Sequence, residues 1–111
     1  MDIAEEVLEQ ALILAPRGRL DSSTAPALQE QLMGRIDDAP ALLIDCAGLD
    51  YVSSAGLRVL LMGGKQSKQK GRGFALCNLQ DSVREVFEIS GFLTVLSCYP
   101  DRAKALNALS G

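Results

Sequence analysis

Residues 49–62 read L-D-Y-V-S-S-A-G-L-R-V-L-L-M, and the interpretation of the whole chain depends on this stretch. Its first half is polar, with an aspartate, a tyrosine and two serines, and its second half repeats leucines at helical spacing. This pattern predicts a loop that runs into a helix. Either Ser53 or Ser54 can cap that helix, because a serine oxygen accepts a hydrogen bond from a backbone N–H that the first turn leaves unpaired.

The two serines have a structural and a functional interpretation. Ala55 and Gly56 add almost no bulk to the first turn. The hydroxyls therefore lie at the positive end of the helix dipole, with room for a partner to approach. An ordinary helix start has the same residues, and the capping pattern alone favours a purely structural role.

Composition limits the possible functions. The chain has 111 residues, which is enough for one domain with its own core. Hydrophobic residues make up 48% of it and aromatic residues only 5%, so the core should be aliphatic. Histidine is absent, which removes His-dependent catalytic triads, His general bases and the commonest zinc sites. We expect no enzymatic activity, no cofactor and no metal ion.

The net charge indicates which partners the protein can bind, and the use of cysteine indicates its cellular compartment. The net charge of −3 argues against a nucleic-acid partner. We interpret the one basic cluster, Lys65, Lys68, Lys70 and Arg72, as the solvated end of the central helix. The three cysteines are expected to be free, mostly buried thiols, which is typical of the cytosol. Without a signal-like N-terminus or an apolar run of about 18 residues, we predict a cytoplasmic protein with no membrane contact.

The rest of the chain predicts alternating strands and helices. Apolar runs predict strands at residues 3–8, 11–15, 41–46, 74–77 and 94–97. Apolar faces at helical spacing predict four helices, carried by Ala25, Leu28, Leu32 and Ile36; Leu57, Leu60 and Leu61; Val83, Val86, Phe87 and Ile89; and Ala103, Leu106 and Leu109. Pro16 is expected to end the second strand, and residues 47–52 to form a loop.

These elements define a fold class. The right-handed crossover rule predicts an α/β domain with a mixed, mostly parallel central sheet of about five strands, about four helices and an antiparallel N-terminal hairpin. The buried strand at 41–46 delivers the serines to the C-terminal edge of the sheet, where open α/β folds bind ligands. Gly63 and Gly64 lie within the central helix and indicate either close packing or a bend.

Residues 41–61, A-L-L-I-D-C-A-G-L-D-Y-V-S-S-A-G-L-R-V-L-L, resemble the phosphorylation segment of the anti-sigma factor antagonists, the bacterial single-domain members of the STAS family. The turn G-R-L-D-S-S-T-A at 18–25 is also similar to that family. The family motif is Asp-Ser-Ser-Gly-Leu or Asp-Ser-Thr-Gly-Leu, and the serine after the aspartate is phosphorylated. Aligning Gly56 and Leu57 with its Gly-Leu places the phosphoacceptor at Ser54.

The resemblance extends over nearly the whole chain and implies a single STAS domain with a STAS-like fold over residues 1–111. The motif departs from the family at two positions. Ser53 stands where the family often has aspartate, and Ala55 replaces the usual serine or threonine. Ser53 is therefore the second choice for the phosphoacceptor.

The resemblance implies partner switching. An anti-sigma factor that is also a serine kinase would bind either its sigma factor or the unmodified antagonist. Phosphorylation of Ser54 would release the antagonist, and a metal-dependent serine phosphatase would restore binding. The free antagonist is expected to be a monomer. The residues expected to form the partner-binding surface are Asp21, Asp50, Ser53, Ala55, Gly56 and Arg58.

Other functions remain open. A STAS scaffold or interaction module in a larger regulatory or transport complex would share the fold without phosphorylation. A nucleotide-binding enzyme is disfavoured, because the sequence has no Gly-x-x-x-x-Gly-Lys-Ser/Thr loop to hold phosphates. A purely structural domain is the remaining alternative.

Overall fold

A computed structural model describes residues 1–110 as a sheet of six strands covered by helices on both faces. The strands are β1 (Asp2–Val7), β2 (Leu12–Leu20), β3 (Ala41–Asp45), β4 (Leu49–Val52), β5 (Gly73–Cys77) and β6 (Cys98–Tyr99). The helices are α1 (Ala25–Arg35), α2 (Ser54–Gln69), α3 (Asp81–Ser90) and α4 (Arg102–Ser110), with a 3-10 turn at Phe92–Thr94.

The sheet has the order β1-β2-β3-β5-β6, and β4 pairs with the far end of β2. β1 and β2 form the antiparallel hairpin, and the other pairings are parallel. The predicted α/β class, mostly parallel sheet and N-terminal hairpin are thus confirmed, with six strands instead of about five.

Alternation along the strands divides the core between the two faces of the sheet. Leu12 and Leu14 of β2 belong to the larger cluster, which is covered by α1, α2 and α3. Ile13 points to the opposite face, where Ala105 of α4 completes a smaller cluster. Successive side chains of a strand point to opposite faces of the sheet. Because both faces are buried here, the central strands are apolar throughout.

Three strand predictions were wrong. β2 does not end at Pro16 but continues to Leu20. Pro16 lies between the part of β2 that pairs with β3 and the part that pairs with β4. Because the hydrogen-bond ladder is interrupted there, the missing backbone N–H of Pro16 is tolerated. The predicted loop at 47–52 contains β4, and the last strand is not 94–97 but Cys98–Tyr99.

Two helix faces also differ from the prediction. Ile89 is 80% exposed, because it lies two residues, about 200° of helix, beyond the buried Phe87. Ala103 is exposed for the same reason, since the buried residue of α4 is Ala105. Among the other predicted core positions of the helices, Leu61, Val86, Leu106 and Leu109 are only half-buried.

The three cysteines are free, as predicted, with Cys46 and Cys77 buried and Cys98 half-buried. Burial raises the pKa of the Cys77 thiol to about 12 and that of Cys98 to about 11. Burial also raises the pKa of Cys46. All three are therefore protonated at neutral pH and serve as small apolar side chains of the core.

Gly63 allows α2 to pack closely against its neighbours, and the helix continues through it without interruption. A Cβ atom on Gly63 would lie 2.9 Å from Cδ1 of Leu32 in α1 and 3.0 Å from Cε2 of Phe74 in β5. A Cβ on Gly64 would lie 3.1 Å from Cδ2 of Leu96. Close packing therefore accounts for both glycines.

Gly63→Ala and Gly34→Ala form a matched pair of helical substitutions. A Cβ atom added to Gly34, in α1, would meet no atom within 4 Å, so alanine there should stabilise the protein by about 0.5–1 kcal/mol through helix propensity alone. Gly63→Ala should instead destabilise it by about 1 kcal/mol or more through overpacking. Urea denaturation measures both, and equal effects would show that the contact with Leu32 relaxes freely.

Asp45 ties α4 to the end of β3. Its side chain is 9% exposed, and Oδ2 accepts a hydrogen bond from Nε of Arg102 at 2.6 Å. Oδ1 accepts from the Ala47 amide and from Nδ2 of Asn78, both at 3.1 Å. Burial raises the pKa of Asp45, but these hydrogen bonds outweigh burial and hold the pKa below its usual value.

This network predicts a pH-dependent loss of stability. Because the folded-state pKa of Asp45 is depressed, its contribution is present above the unfolded pKa of about 3.9 and is lost as pH falls through the folded value. Asp45→Asn should lower the unfolding free energy at pH 7 by about 1.5–3 kcal/mol. The difference from the wild type should shrink below about pH 4.

Glu6→Gln is the control for this prediction. Glu6 is the other carboxylate on Arg102, at 3.1 Å, and its side chain is 55% exposed. Its loss should cost at most about 1 kcal/mol. Thermal melts from pH 3 to pH 7 compare the two variants. If the difference in stability between Asp45→Asn and the wild type stayed constant over this range, ionised Asp45 would not be the source of the pH dependence.

Candidate functional site

The parallel pairing of β2 with β4 brings the two predicted site segments together. Leu20 and Val52 are partners in the register of these strands, and the Ser53 amide donates to the Leu20 carbonyl at 2.8 Å. Gly56 is buried against the same residue, and a Cβ on it would lie 2.6 Å from Cγ of Leu20. The turn after β2 and the first turn of α2 therefore lie side by side at one edge of the sheet.

Asp21 organises the turn between β2 and α1. Its Oδ1 accepts hydrogen bonds from the Ser23 hydroxyl at 2.7 Å and from the Ser23 amide at 2.9 Å. Its own amide donates to Oγ1 of Thr24 at 2.9 Å. The hydrogen bonds from Ser23 lower the pKa of Asp21, so the turn carries a fixed negative charge beside α2.

The two serines have different structural roles. Ser53 is the N-cap of α2, with extended backbone, and its Oγ accepts a hydrogen bond from the Gly56 amide at 3.5 Å. Ser54 is the first residue of the helix, and its side chain is exposed. Within residues 1–110 the Ser54 hydroxyl has no hydrogen-bond partner. The question of which serine caps the helix is thus answered in favour of Ser53.

A shallow groove of about 290 Å³ separates α1 from α2 next to these serines. Ala55 and Arg58, two of the predicted partner-binding residues, lie on its α2 side. Ser22, from the Asp21 turn, lies on its α1 side. Its lining residues are Ser22, Ala25, Pro26, Gln29, Ala55, Arg58, Val59 and Met62.

Asp50, the remaining predicted residue, is exposed on β4. No ion pair within the described part of the chain involves its carboxylate. All six predicted partner-binding residues thus lie on the Asp21 turn, on β4 or on the start of α2, although Gly56 is buried and shapes the backbone instead of offering a surface.

Sequence reasoning missed Arg19 as part of this site. Its guanidinium stacks on the ring of Tyr51, 4.0 Å from the ring centroid, and its Nε lies 3.8 Å from Oδ2 of Asp21. The two residues face each other because Arg19 on β2 and Tyr51 on β4 are register partners. An aromatic residue in a predicted loop was the available signal, but the pairing depends on a strand that the sequence did not reveal.

Residues 1–110 contain neither a metal-ligand cluster nor a membrane-spanning helix. No group of three or more Cys, Asp or Glu side chains there is arranged to hold a metal ion. No helix of that range combines the length and the apolar character needed to cross a membrane.

Comparison with known proteins gives the class of the protein. The family model described as the STAS domain matches residues 2–105. The chain therefore belongs to the STAS domain family, as the sequence predicted.

Within this family, the chain is similar to anti-sigma factor antagonists. It is 38% identical over 109 residues to BtrV of Bordetella bronchiseptica, provisionally named an anti-sigma factor antagonist, with 97% of this chain and 94% of BtrV covered. An anti-sigma factor antagonist domain protein of Planctomyces limnophilus has the same fold, with a TM-score of 0.87 and 24% identity over 100% of both chains.

SpoIIAA of Bacillus, solved in its phosphorylated form, has a TM-score of 0.72 and 16% identity, with 96% of this chain and 98% of that chain covered. The unphosphorylated form of SpoIIAA, described as an anti-sigma factor antagonist, has a TM-score of 0.81 and 18% identity over 99% and 97% of the two chains.

Because Ser53 caps α2 and Ser54 does not, substitutions at the two serines should have different effects on the stability of the protein. Ser53→Ala removes the N-cap and should lower the unfolding free energy by about 0.5–2 kcal/mol. Ser54→Ala removes an exposed hydroxyl and should change it by less than about 0.5 kcal/mol. Chemical denaturation of the two variants measures this difference. A larger loss in Ser54→Ala would mean that Ser54 is the residue that caps α2.

Proposed function

We propose that this protein is an anti-sigma factor antagonist that acts by binding a partner, without catalysis of its own. The observation that carries the proposal is the position of Ser54: an exposed, unbonded hydroxyl at the N-terminus of α2, beside the Asp21 turn. The similarity to BtrV supports the class of partner, an anti-sigma factor. We propose further that this partner is also the serine kinase that modifies Ser54.

Ser54 is the better phosphoacceptor of the two serines. Ser53 is half-buried, and its oxygen already accepts the capping bond from Gly56. A kinase active site would have to break that bond to reach Ser53. Ser54 offers its hydroxyl at no such cost, and transfer of the γ-phosphoryl group of ATP to its Oγ would leave the cap intact, with ADP and a proton as the other products.

The folded protein can accommodate a phosphate at this position. Phosphorylation adds about −1.5 to −2 charges and three acceptor oxygens. The positive end of the α2 dipole favours an anion there. Arg58 lies four residues along the same helix, the spacing at which an acidic residue and a basic residue pair best.

A bound partner would not accommodate the same charge. The phosphate would enter an interface that already holds the ionised Asp21 and, one element away, the exposed Asp50. Burying a phosphate group next to carboxylates in a protein–protein interface costs several kcal/mol. Phosphorylation should therefore dissociate the complex without unfolding the antagonist, and a metal-dependent serine phosphatase would reverse it. The free protein is proposed to be a cytoplasmic monomer.

The test combines kinase treatment with binding. The kinase-type anti-sigma factor proposed as the partner, supplied with ATP, should phosphorylate the protein once, and fragment-ion mass spectrometry should locate the phosphate on Ser54. Ser54→Ala should bind the kinase with or without ATP. Ser54→Asp should bind at least about tenfold more weakly, the equivalent of about 1.4 kcal/mol.

Ser82→Asp is the matched control, since Ser82 is an exposed serine in the first turn of another helix, α3. It should bind like the wild type. A phosphate found mainly on Ser53 would move the acceptor site. Equal binding by Ser54→Ala and Ser54→Asp, with no phosphate incorporated, would favour a STAS scaffold that functions without phosphorylation.

A further inference from the structure

One face of α2 carries a row of side chains that starts at the proposed phosphoacceptor. Ser54, Arg58, Leu61, Lys65 and Lys68 follow one another at intervals of four, three, four and three residues. At 3.6 residues per turn, this spacing aligns them along one side of the helix. All of them are exposed except Leu61, which is half-buried. We call Arg58, Lys65 and Lys68 the basic face.

The basic face is unusual for this chain. The protein has a net charge of −3, yet α2 contains no aspartate or glutamate. Within residues 1–110, most other cations form ion pairs, as Arg102 does with Asp45 and Lys70 does with Asp37. None of the three cations of the basic face forms an ion pair within that range.

Structural needs do not explain the basic face. A lysine in the last turn of a helix, such as Lys68, complements the helix dipole. Arg58 lies in the second turn of α2, away from the C-terminal end, so the dipole does not stabilise its charge. Three exposed cations on one side of a helix also repel one another. The helix dipole accounts for Lys68 alone, so an external anionic partner is the better explanation of the three cations together.

A groove lies beside the C-terminal half of this face. It has a volume of about 630 Å³, and Lys65, Lys68 and Arg72 surround it. Arg72 is held in place by a hydrogen bond from Nη1 to the Ala39 carbonyl at 2.6 Å. The apolar lining consists of Leu61, Phe74, Val95 and Leu96. Val95 is 65% exposed and is accessible to a partner at the rim of the groove.

We infer that the basic face and this groove bind an acidic segment of the anti-sigma factor, with one of its apolar side chains in the groove. The inference rests on the proposed function, because the row of side chains is continuous with Ser54. A partner that covers Ser54 and extends along α2 necessarily meets the basic face. Acidic side chains complement its charge, and the lining around Val95 accommodates an apolar anchor of the kind that dominates interface energetics.

This surface also gives phosphorylation a second effect. A phosphate on Ser54 would pair with Arg58 one turn along the helix. That pair withdraws one of the three cations from the partner's acidic segment. The modified serine would thus weaken attraction along α2 in addition to repelling the partner at its N-terminus.

The experiment compares two variants with equal charge change. Lys65→Glu/Lys68→Glu reverses the basic face beside the groove. Arg17→Glu/Lys104→Glu reverses two exposed cations that also lack an ion pair within residues 1–110 but lie outside α2. Isothermal titration calorimetry with the same kinase-type anti-sigma factor, in its ATP-free form, measures Kd for each, and circular-dichroism melts verify that both variants fold.

Lys65→Glu/Lys68→Glu, the groove variant, should bind at least about tenfold more weakly than the wild type. Arg17→Glu/Lys104→Glu, the control, should have a Kd within about twofold of the wild-type value. The dependence of log Kd on log salt concentration should also be less steep for Lys65→Glu/Lys68→Glu. Val95→Ser should weaken binding without changing that slope, because it removes the apolar contact alone.

Three results overturn the inference. If the groove variant binds like the control while Ser54 is still phosphorylated, the basic face is not part of the interface and the proposed function stands. If both double variants weaken binding equally, net charge is responsible. If the anti-sigma factor neither binds nor phosphorylates the wild type, the proposed function fails, and this inference fails with it.

Discussion

The candidate site depends on one backbone contact, the pairing of the end of β2 with β4 that closes with the hydrogen bond from the Ser53 amide to the Leu20 carbonyl. This bond fixes the residue from which α2 starts. Gly56 is required next to it, because any side chain there would overlap Leu20. A turn that follows one strand and a helix that follows another are thereby held together, as parallel strands with adjacent ends require.

Most of the fold could be predicted from the sequence because burial repeats with a simple period. β3 is buried on both faces and reads as an unbroken apolar run, while α1 places its buried residues at helical spacing. β4 escaped prediction because its burial does not alternate. Leu49 and Val52 are buried and the two residues between them are exposed, since the pairing with β2 shifts register between Gly18 and Arg19. A strand whose register is interrupted by a bulge does not alternate buried and exposed residues, so its sequence lacks the alternating apolar pattern that predicts a strand.

The same missing strand explains what was incomplete in the predicted site. The resemblance to a family motif predicted Ser54 and Asp21 as site residues without any knowledge of the sheet. The stack of Arg19 on Tyr51 depends on the register of β2 with β4, and no local pattern encodes that register. The last strand was misplaced for a different reason. Residues 94–97 have strand-like composition, but Gly91, in the left-handed conformation, directs the chain into the 3-10 turn at Phe92–Thr94. Of residues 94–97, only Leu96 is buried.

The side chains at the two ends of α2 carry opposite charge. At the N-terminal end, the Asp21 turn supplies a carboxylate that its own hydrogen bonds keep ionised. At the C-terminal end, Lys65 and Lys68 are exposed without an ion pair within the described residues. An arrangement of this kind orients a partner as well as attracting it, because only one direction of approach matches both charges. Ser54 lies at the same end of α2 as this carboxylate, so the proposed phosphate would add to the existing negative charge instead of cancelling it. Under the proposed function, the phosphorylated protein would keep its fold, but its surface would no longer match a partner that binds an uncharged hydroxyl at that position.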